Sequence, residues 1–486
     1  MSGENGQATV GVGGDAVRLL VVGGGPAGTA AALQARELGA EVTLLEAEEV
    51  GGTSLNRGPA PVRTLARSAR LVRDWTSWAS FGLEGPRPAV NLAAVLASSD
   101  RVAKYAHGKK DLAGHLRHHG VDLLEHLGPV RFTDPHTLSD RDGRCWRGDR
   151  VLVAVGGRAA ALPVPGGELA LSYSDIRALG ALPPDITVIG GADTGCQMAS
   201  IFADFGATVR IIEAGPALVP GADESISAAL TRAFEAKGMT LCTGARVQAL
   251  ERGGGQVVIR FTRGGPAEQV ATDAVFAAVG WPASLGGLDP DAAGLTSTPQ
   301  AIPVDGYLQT NVGHIFAAGD VNGRSKLVQT ARLEGRIASW NAVCGPTRQF
   351  RYEVVPSGSF TDPEYGAVGL TERQAAEDHD IAVGMAWYDD LIRPVADGHP
   401  DGFCKLIADR RDHAILGAHV LGEYSAETVQ VVATAMSAGM RVEQLAEMQF
   451  AFPTFTEAVS MAAQKICRSL GIGQFPPAWS YLGAHE

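Results

Sequence analysis

One arrangement occurs twice in this chain with a single spacing: a short apolar strand, a glycine-rich turn, a small-residue helix and a second strand ending in glutamate. Val17-Arg-Leu-Leu-Val-Val22 runs into Gly23-Gly-Gly-Pro-Ala-Gly28, Thr29 to Leu38 read as the helix, and Glu41 to Leu45 lead to Glu46. Further on, Asp185 to Ile189, Gly190-Gly-Ala-Asp-Thr-Gly195, a helix through Phe205 and a strand Thr208 to Ile212 lead to Glu213. Each first glycine precedes its glutamate by 23 residues. A lone glycine motif says little, but strand, glycines, helix and terminal acid together specify a dinucleotide-binding βαβ unit. Two of them in one chain exclude most other α/β arrangements.

The residue types account for the chemistry. Gly23 permits the turn, Gly25 a close approach of backbone to pyrophosphate, and Gly28 tight contact between helix and strand, while the helix N-terminus offers N–H groups and positive dipole to the phosphates. Glu46 would accept from a ribose diol. An ordinary glycine turn before a helix is the plain alternative. In the second unit Gly190 and Gly195 fit, Ala192 stands at the middle position, and Asp193 follows it. Glu213 would hydrogen-bond the free 2′-hydroxyl of NAD and repel the phosphate of NADP, so the expected coenzyme is NAD(H). A degenerate domain retained for architecture is the competing reading.

Composition enters here as a filter on partners. The chain's 486 residues, 45% hydrophobic, suffice for several packed domains, and a net charge of -12 argues against nucleic acid or an anionic membrane as the main partner. No stretch approaches the ~20 apolar residues of a membrane span. The polar, Gly-rich start has no secretory pattern, which with few scattered cysteines leads to the expectation of a cytoplasmic protein. The expected division is a flexible tail at 1–16, a first dinucleotide-binding domain at 17–160 resuming at 291–349, an NAD(H)-binding domain at 161–290, and a separate C-terminal domain at 350–486. In that last region 402–407 and 414–420 read as strands and 426–437 as a helix. The fold class is therefore α/β, with two Rossmann-like dinucleotide-binding domains followed by an α+β domain. Cys145, Cys196, Cys242, Cys344, Cys404 and Cys467 form no CxxC pair and no grouping with histidine, so no metal site is expected.

Beyond the two units, further blocks carry a resemblance: Gly51-Gly-Thr-Ser-Leu-Asn-Arg-Gly-Pro59, Ala317-Ala-Gly-Asp320, Phe360-Thr-Asp-Pro363 with Val368-Gly-Leu-Thr371, and Phe452-Pro-Thr-Phe-Thr-Glu457. With Gly23 to Glu46 and Gly190 to Glu213 they make the chain similar to the FAD-dependent pyridine nucleotide-disulfide oxidoreductases, which include dihydrolipoamide dehydrogenase, glutathione reductase and mercuric reductase. The resemblance spans nearly everything after Ala16. It implies FAD in the first domain, with Gly51, Gly52 and Thr53 near the phosphates and flavin and Asp320 on the ribitol side. It also implies a nicotinamide coenzyme in the central domain and a homodimer built by the last one.

The same resemblance exposes what is missing. Ser54 and Pro59 stand at the two positions of the redox disulfide. Serine has no accessible redox couple and proline no reactive side chain, so the local dithiol relay is absent. Around the same centre the family's lysine is Arg63, its partner glutamate is Gln197, a frequent gating aromatic is Asp193, and the base lent by the other subunit is Phe452, with its orienting acid kept as Glu457. Loss of the thiols and of the base is consistent, because a base without a thiol has lost its customary task. Phe452 reads as an apolar wall or as core packing; Glu457 as an active-site acid or a helix-surface residue.

Residues 62–73 read as a helix with Arg63, Arg67 and Arg70 on one side. Arg63 at its start can stabilise negative charge on the flavin or bind a carboxylate, phosphate or quinone oxygen, whereas Arg67 and Arg70 suit a solvated or paired surface. Arg57 could project into the former disulfide cavity, its direction not being fixed by sequence. Cys196, beside Gly195, is either a helix-activated thiol or a small buried residue; Cys467 is the other regulatory candidate. His115, His118 and His119 suit a solvated helix face. The leading expectation is an oxidoreductase passing electrons from NADH through FAD directly to a quinone or anionic metabolite. The alternatives are FAD chemistry on an organic substrate without physiological nicotinamide, and a flavin-bearing structural or assembly protein.

Overall fold

The structure, a computed structural model, describes residues 16–172, 175–176, 179–473 and 475. The expected tail therefore lies outside the described residues except for Ala16, as do the last residues of the C-terminal region. The chain divides into two compact units, one built from its first 57 residues, Lys104–Arg158 and Trp281–Arg351, the other from Gly58–Ala103, Ala159–Gly280 and the chain from Tyr352 onward. Gly58–Ala103 thus groups with the coenzyme and C-terminal regions, and the residues from Trp281 group with the flavin region.

The first unit is organised by a five-stranded parallel sheet with spatial order Ile315–Ala317, Arg150–Val153, Arg18–Val22, Glu41–Leu45, Asp122–Leu124. Leu19, Leu20, Val21 and Val22 are buried on both faces, which is why this strand lacks polar alternation. Helix Pro26–Glu37 starts with proline at its first turn and is rich in alanine, and it packs on helix Val328–Cys344. That contact is close enough that a β-carbon on Gly335 would lie 2.1 Å from the Ala27 carbonyl oxygen. A three-stranded antiparallel sheet at Arg131–Asp134, Thr137–Ser139 and Cys145–Arg147 completes the unit.

The second unit holds a four-stranded parallel sheet ordered Thr240–Cys242, Thr208–Ile212, Asp185–Ile189, Ala274–Ala277. Helix Asp193–Phe205 follows the strand Asp185–Ile189, and helix Pro59–Arg73 packs against it. A three-stranded antiparallel sheet covers Arg246–Thr272. Beyond Tyr352 a five-stranded antiparallel sheet runs in the order Ser357–Ser359, Tyr365–Gly369, Ile415–Leu421, Phe403–Asp409, Ile381–Trp387. Helices Ser425–Ser437 and Glu457–Leu470 pack on it, and every residue of Phe403–Asp409 is buried. The fold is the expected one of two parallel-sheet nucleotide-binding regions and a terminal α+β region. Among the described residues no helix is long and apolar enough to cross a membrane.

Candidate active site

In the first unit the strand Arg18–Val22 delivers its glycines to the carboxyl end of the sheet, where α/β folds bind nucleotides. Gly23 has φ +101, and a β-carbon there would lie 2.4 Å from the Ala154 carbonyl oxygen. On Gly28 a β-carbon would come within 1.8 Å of the Gly23 carbonyl oxygen. Gly25 differs: its nearest neighbour would be the Gly52 Cα at 3.9 Å, so protein packing does not demand glycine here. The turn at Gly51 and Gly52 is laid over this loop, with Gly51 N donating to the Gly24 carbonyl at 2.9 Å. Thr53 and Ser54 sit in the single-turn helix Gly52–Asn56, and the Ser54 hydroxyl donates to the Gly51 carbonyl oxygen at 3.1 Å. The Ser54 proton is therefore engaged by its own loop.

Glu46 ends its strand facing the same loop. Its Oε2 accepts from Gly24 N at 2.5 Å and its Oε1 from Glu48 N at 2.8 Å. Burial pushes its carboxyl above the usual range, opposed by the Gly24 N–H. Asp320 follows strand Ile315–Ala317, and its Oδ2 accepts from the Trp281 indole N–H at 2.9 Å. Burial pushes its carboxyl upward too, with the indole N–H acting against it. Glycines that let the loop turn tightly, a helix N-terminus, and two carboxylates at strand ends suit the pyrophosphate and hydroxyls of FAD.

The second unit repeats this geometry. Gly190 has φ +103 with a virtual β-carbon 2.4 Å from the Ala278 carbonyl oxygen, and the one on Gly195 lies 1.8 Å from the Gly190 carbonyl oxygen. Ala192 (φ -83, ψ -172) has nearly the backbone shape of Gly25 (φ -73, ψ -170), so the alanine changes only what protrudes. Glu213 Oε2 accepts from Gly191 N and its Oε1 from Gly215 N, both at 2.5 Å. Asp193 opens the helix, and the Tyr365 hydroxyl donates to its carboxylate. Although Asp193 keeps solvent contact, lost hydration on its protein side pushes its carboxyl upward. Gln197 is half-buried one turn further along. Cys196 is buried, donates to the Gly191 carbonyl at 3.2 Å, and its thiol is pushed strongly up by burial, so the small buried reading holds. Cys467 is buried as well and its thiol is pushed up to about 11, which removes it as a reactive candidate.

The arginines depart most from expectation. Arg63 contacts Glu364 at 2.5 Å and lies over the Phe360 ring. Arg70 is not a surface residue: it is 6% exposed and pairs with Glu364 at 2.8 Å, while Arg73 pairs with Asp362 and with Glu423 at 2.9 Å. The face that reads as basic is thus neutralised by acids more than 280 residues away, leaving Arg67 exposed beside a cavity of about 320 Å³. Arg57 turns to Glu48 on the first unit's surface. Phe452 is 70% exposed in this chain, which rules out core packing there. Glu457 opens helix Glu457–Leu470, its carboxyl pushed up by partial burial. The side chain of Pro59 lies outside what the structure describes; the residue opens helix Pro59–Arg73. Among the described residues no cluster of His, Cys, Asp and Glu is placed to hold a metal ion. Three contributors escaped the sequence reading, Trp281, Tyr365 and Glu364; each follows or sits inside a recognisable block, but only a long-range contact gives it a role.

Two parallel-sheet crevices, each with a glycine loop and a terminal acid, define a flavin- and nicotinamide-dependent oxidoreductase class. The chain belongs to the pyridine nucleotide-disulphide oxidoreductases, matching that family over residues 17–335 and its dimerisation domain over residues 355–463. Dihydrolipoyl dehydrogenase of Mycobacterium tuberculosis is 31% identical over 453 residues, covering 91% of this chain and 96% of that protein. Mercuric reductase of Lysinibacillus sphaericus is 29% identical over 451 residues, covering 92% and 82%. Among solved structures, LpdA of M. tuberculosis superimposes with a TM-score of 0.84 and the HOCl-induced flavoprotein disulfide reductase RclA of Escherichia coli with 0.81. Both are 25% identical to this chain, covering 92% of it and 99% of their own lengths. This member carries the family's FAD- and NAD(H)-binding architecture without its disulfide, since all six cysteines are free.

Proposed function

We propose that the protein passes electrons from NADH through FAD directly to an organic acceptor, a quinone or an anionic metabolite, with no protein thiol between them. FAD, when bound, supplies the two-electron carrier. The carrying observation is the thiol inventory: six free cysteines, three of them buried, with Ser54 and Pro59 at the positions of the family's disulfide. On the flavin side, Gly23, Gly25, Gly28, Gly51, Gly52 and Thr53 would shape the phosphate loops, with the Gly23 and Gly51 N–H groups already given to the Leu45 and Gly24 carbonyls, while Glu46 would receive a ribose diol and Asp320 a ribitol hydroxyl. On the coenzyme side, Gly190 and Gly195 shape the phosphate loop and Glu213 would favour NADH by repelling a 2′-phosphate.

Arg63 keeps about two-fifths of its side chain exposed while Glu364 and the Phe360 ring orient it, a state suited to receiving an anionic oxygen of the acceptor. Ser54, whose proton is engaged by Gly51, would act toward an acceptor through its remaining lone pairs. Gln197 replaces a carboxylate and adds no charge to the coenzyme helix. Phe452 and Glu457 would serve a second subunit, and the exposure of Phe452 supports that use. Asp193 favours a second reading, in which FAD acts on an organic substrate without physiological nicotinamide, because its carboxylate adds negative charge to the coenzyme loop.

The test is anaerobic stopped-flow reduction of the purified protein by NADH and by NADPH, followed by reoxidation with quinones, small disulfides and oxygen. Rapid bleaching by NADH, fast quinone reoxidation and inert disulfides are expected. Absence of bleaching by both coenzymes would refute the first reading in favour of the second.

A further inference from the structure

We propose that Trp281 is a flavin-positioning residue: its indole N–H holds one oxygen of Asp320 so that the other is presented to a hydroxyl of the FAD ribitol chain. This rests on the reading of Asp320 as the ribitol acceptor. Asp320 leaves the carboxyl end of strand Ile315–Ala317, and its neighbour Gly319 (φ +80) is so close to the flavin loop's helix that a β-carbon there would lie 3.2 Å from the Ala27 Cβ. The backbone at this turn is already braced. Fully buried Glu334 accepts from Gly319 N at 2.6 Å and from the Asn322 side-chain amide at 2.8 Å. What remains free is the Asp320 side-chain rotation, and the Trp281 contact at 2.9 Å fixes it.

Trp281 is itself held. Residues 157 and 283 form an antiparallel bridge, and Arg158 N donates to the Pro282 carbonyl at 3.0 Å. The indole lies directly over Gly157: a β-carbon there would be 2.4 Å from Cδ1 and 2.5 Å from Nε1. The absent side chain at position 157 makes room for the indole. An indole nitrogen only donates, so it favours the ionised, accepting carboxylate, against the burial that favours the protonated acid. Trp281 therefore sets the direction of Asp320 and, together with the Lys326 charge and the backbone N–H of Asp320 itself, favours its accepting state.

The full-length protein, stripped of FAD and titrated back with flavin fluorescence as the readout, tests this between pH 5 and 8. Trp281→Phe keeps the ring packing but removes the donor and should weaken FAD about tenfold, the scale of one hydrogen bond to a charged group. Its affinity should also begin to fall at a higher pH, on acidification, than the parent's. Gly157→Ala should reproduce the loss by displacing the indole, and the double variant should be no weaker than Trp281→Phe alone. Parent-like FAD affinity in Trp281→Phe, or losses that add in the double variant, would overturn the proposal. Asp320→Asn separates the two layers: a loss there with none in Trp281→Phe refutes only the positioning role, whereas no loss in Asp320→Asn refutes the ribitol reading and the proposal with it.

Discussion

Gly25→Ala separates what a glycine loop needs for folding from what it needs for a ligand. The added methyl would find its nearest neighbour at 3.9 Å, an ordinary contact, in a backbone conformation that Ala192 already adopts in the second unit. The flavin-free protein should therefore fold as before, or gain about 0.4–1 kcal/mol from the smaller entropy of its unfolded chain. Pyrophosphate approaches less closely over this methyl, as it would over Ala192 in the coenzyme loop. Losing one hydrogen bond to a charged oxygen costs about 1.5–3 kcal/mol, so FAD should bind roughly ten- to a hundredfold more weakly. Fluorescence titration with FAD and thermal melting of the flavin-free protein measure the two halves. Parent-like FAD affinity would refute the phosphate reading, and a melting temperature lower by many degrees would show that the position serves packing. Gly28→Ala provides the contrast, because its β-carbon would meet a carbonyl oxygen at 1.8 Å and the helix must shift.

Three more outcomes are expected. Asp193→Asn should tighten NADH binding about tenfold, roughly 1.4 kcal/mol for one partly screened charge; the parent's affinity should fall as rising pH ionises the upward-shifted carboxyl, and the variant's should not, as isothermal titration at several pH values will read. Lys405→Met should cost about 3–5 kcal/mol in denaturant unfolding at pH 7, because it strips the buried Asp223 carboxylate of its 2.7 Å partner. Asp223 is held well below its usual range, so the stability it contributes in the parent is present above about pH 4 and lost on acidification below it, and the variant should show a shallower acid slope. Replacing Cys196, Cys404 and Cys467 together by alanine should leave steady-state quinone turnover unchanged in the fraction that folds; loss of turnover would reinstate a thiol.

The parts legible in the sequence are those whose cause is local. Gly28 is required by the Gly23 carbonyl within a single βαβ unit, Gly23 by its own φ of +101, and strands such as Arg18–Val22 declare burial by their own composition. Roles set by distant partners were not legible. Trp281 meets Asp320 across 39 positions, Tyr365 meets Asp193 across 172, and Arg63 meets Glu364 across 301. The arginine helix shows the limit most clearly: its spacing correctly puts three cations on one side, but whether that side faces water or buried acids depends on the sheet beyond Tyr352. Of the two sequence readings of Phe452, its exposure removes core packing within this chain.

Glu46 and Glu213 carry a consequence for how a ribose would be received. Each clasps two backbone N–H groups, one on either side of its loop, through separate oxygens. A carboxylate still has lone pairs to spare after that, so a diol can be accepted without breaking the clasp and with little further loss of rotamer freedom. A glutamine of identical shape has one accepting oxygen and would turn its NH2 toward the second backbone N–H. The amide would therefore unfasten the loop before any nucleotide arrived, and weakened binding in such a variant would report a lost clasp as much as a lost ribose contact.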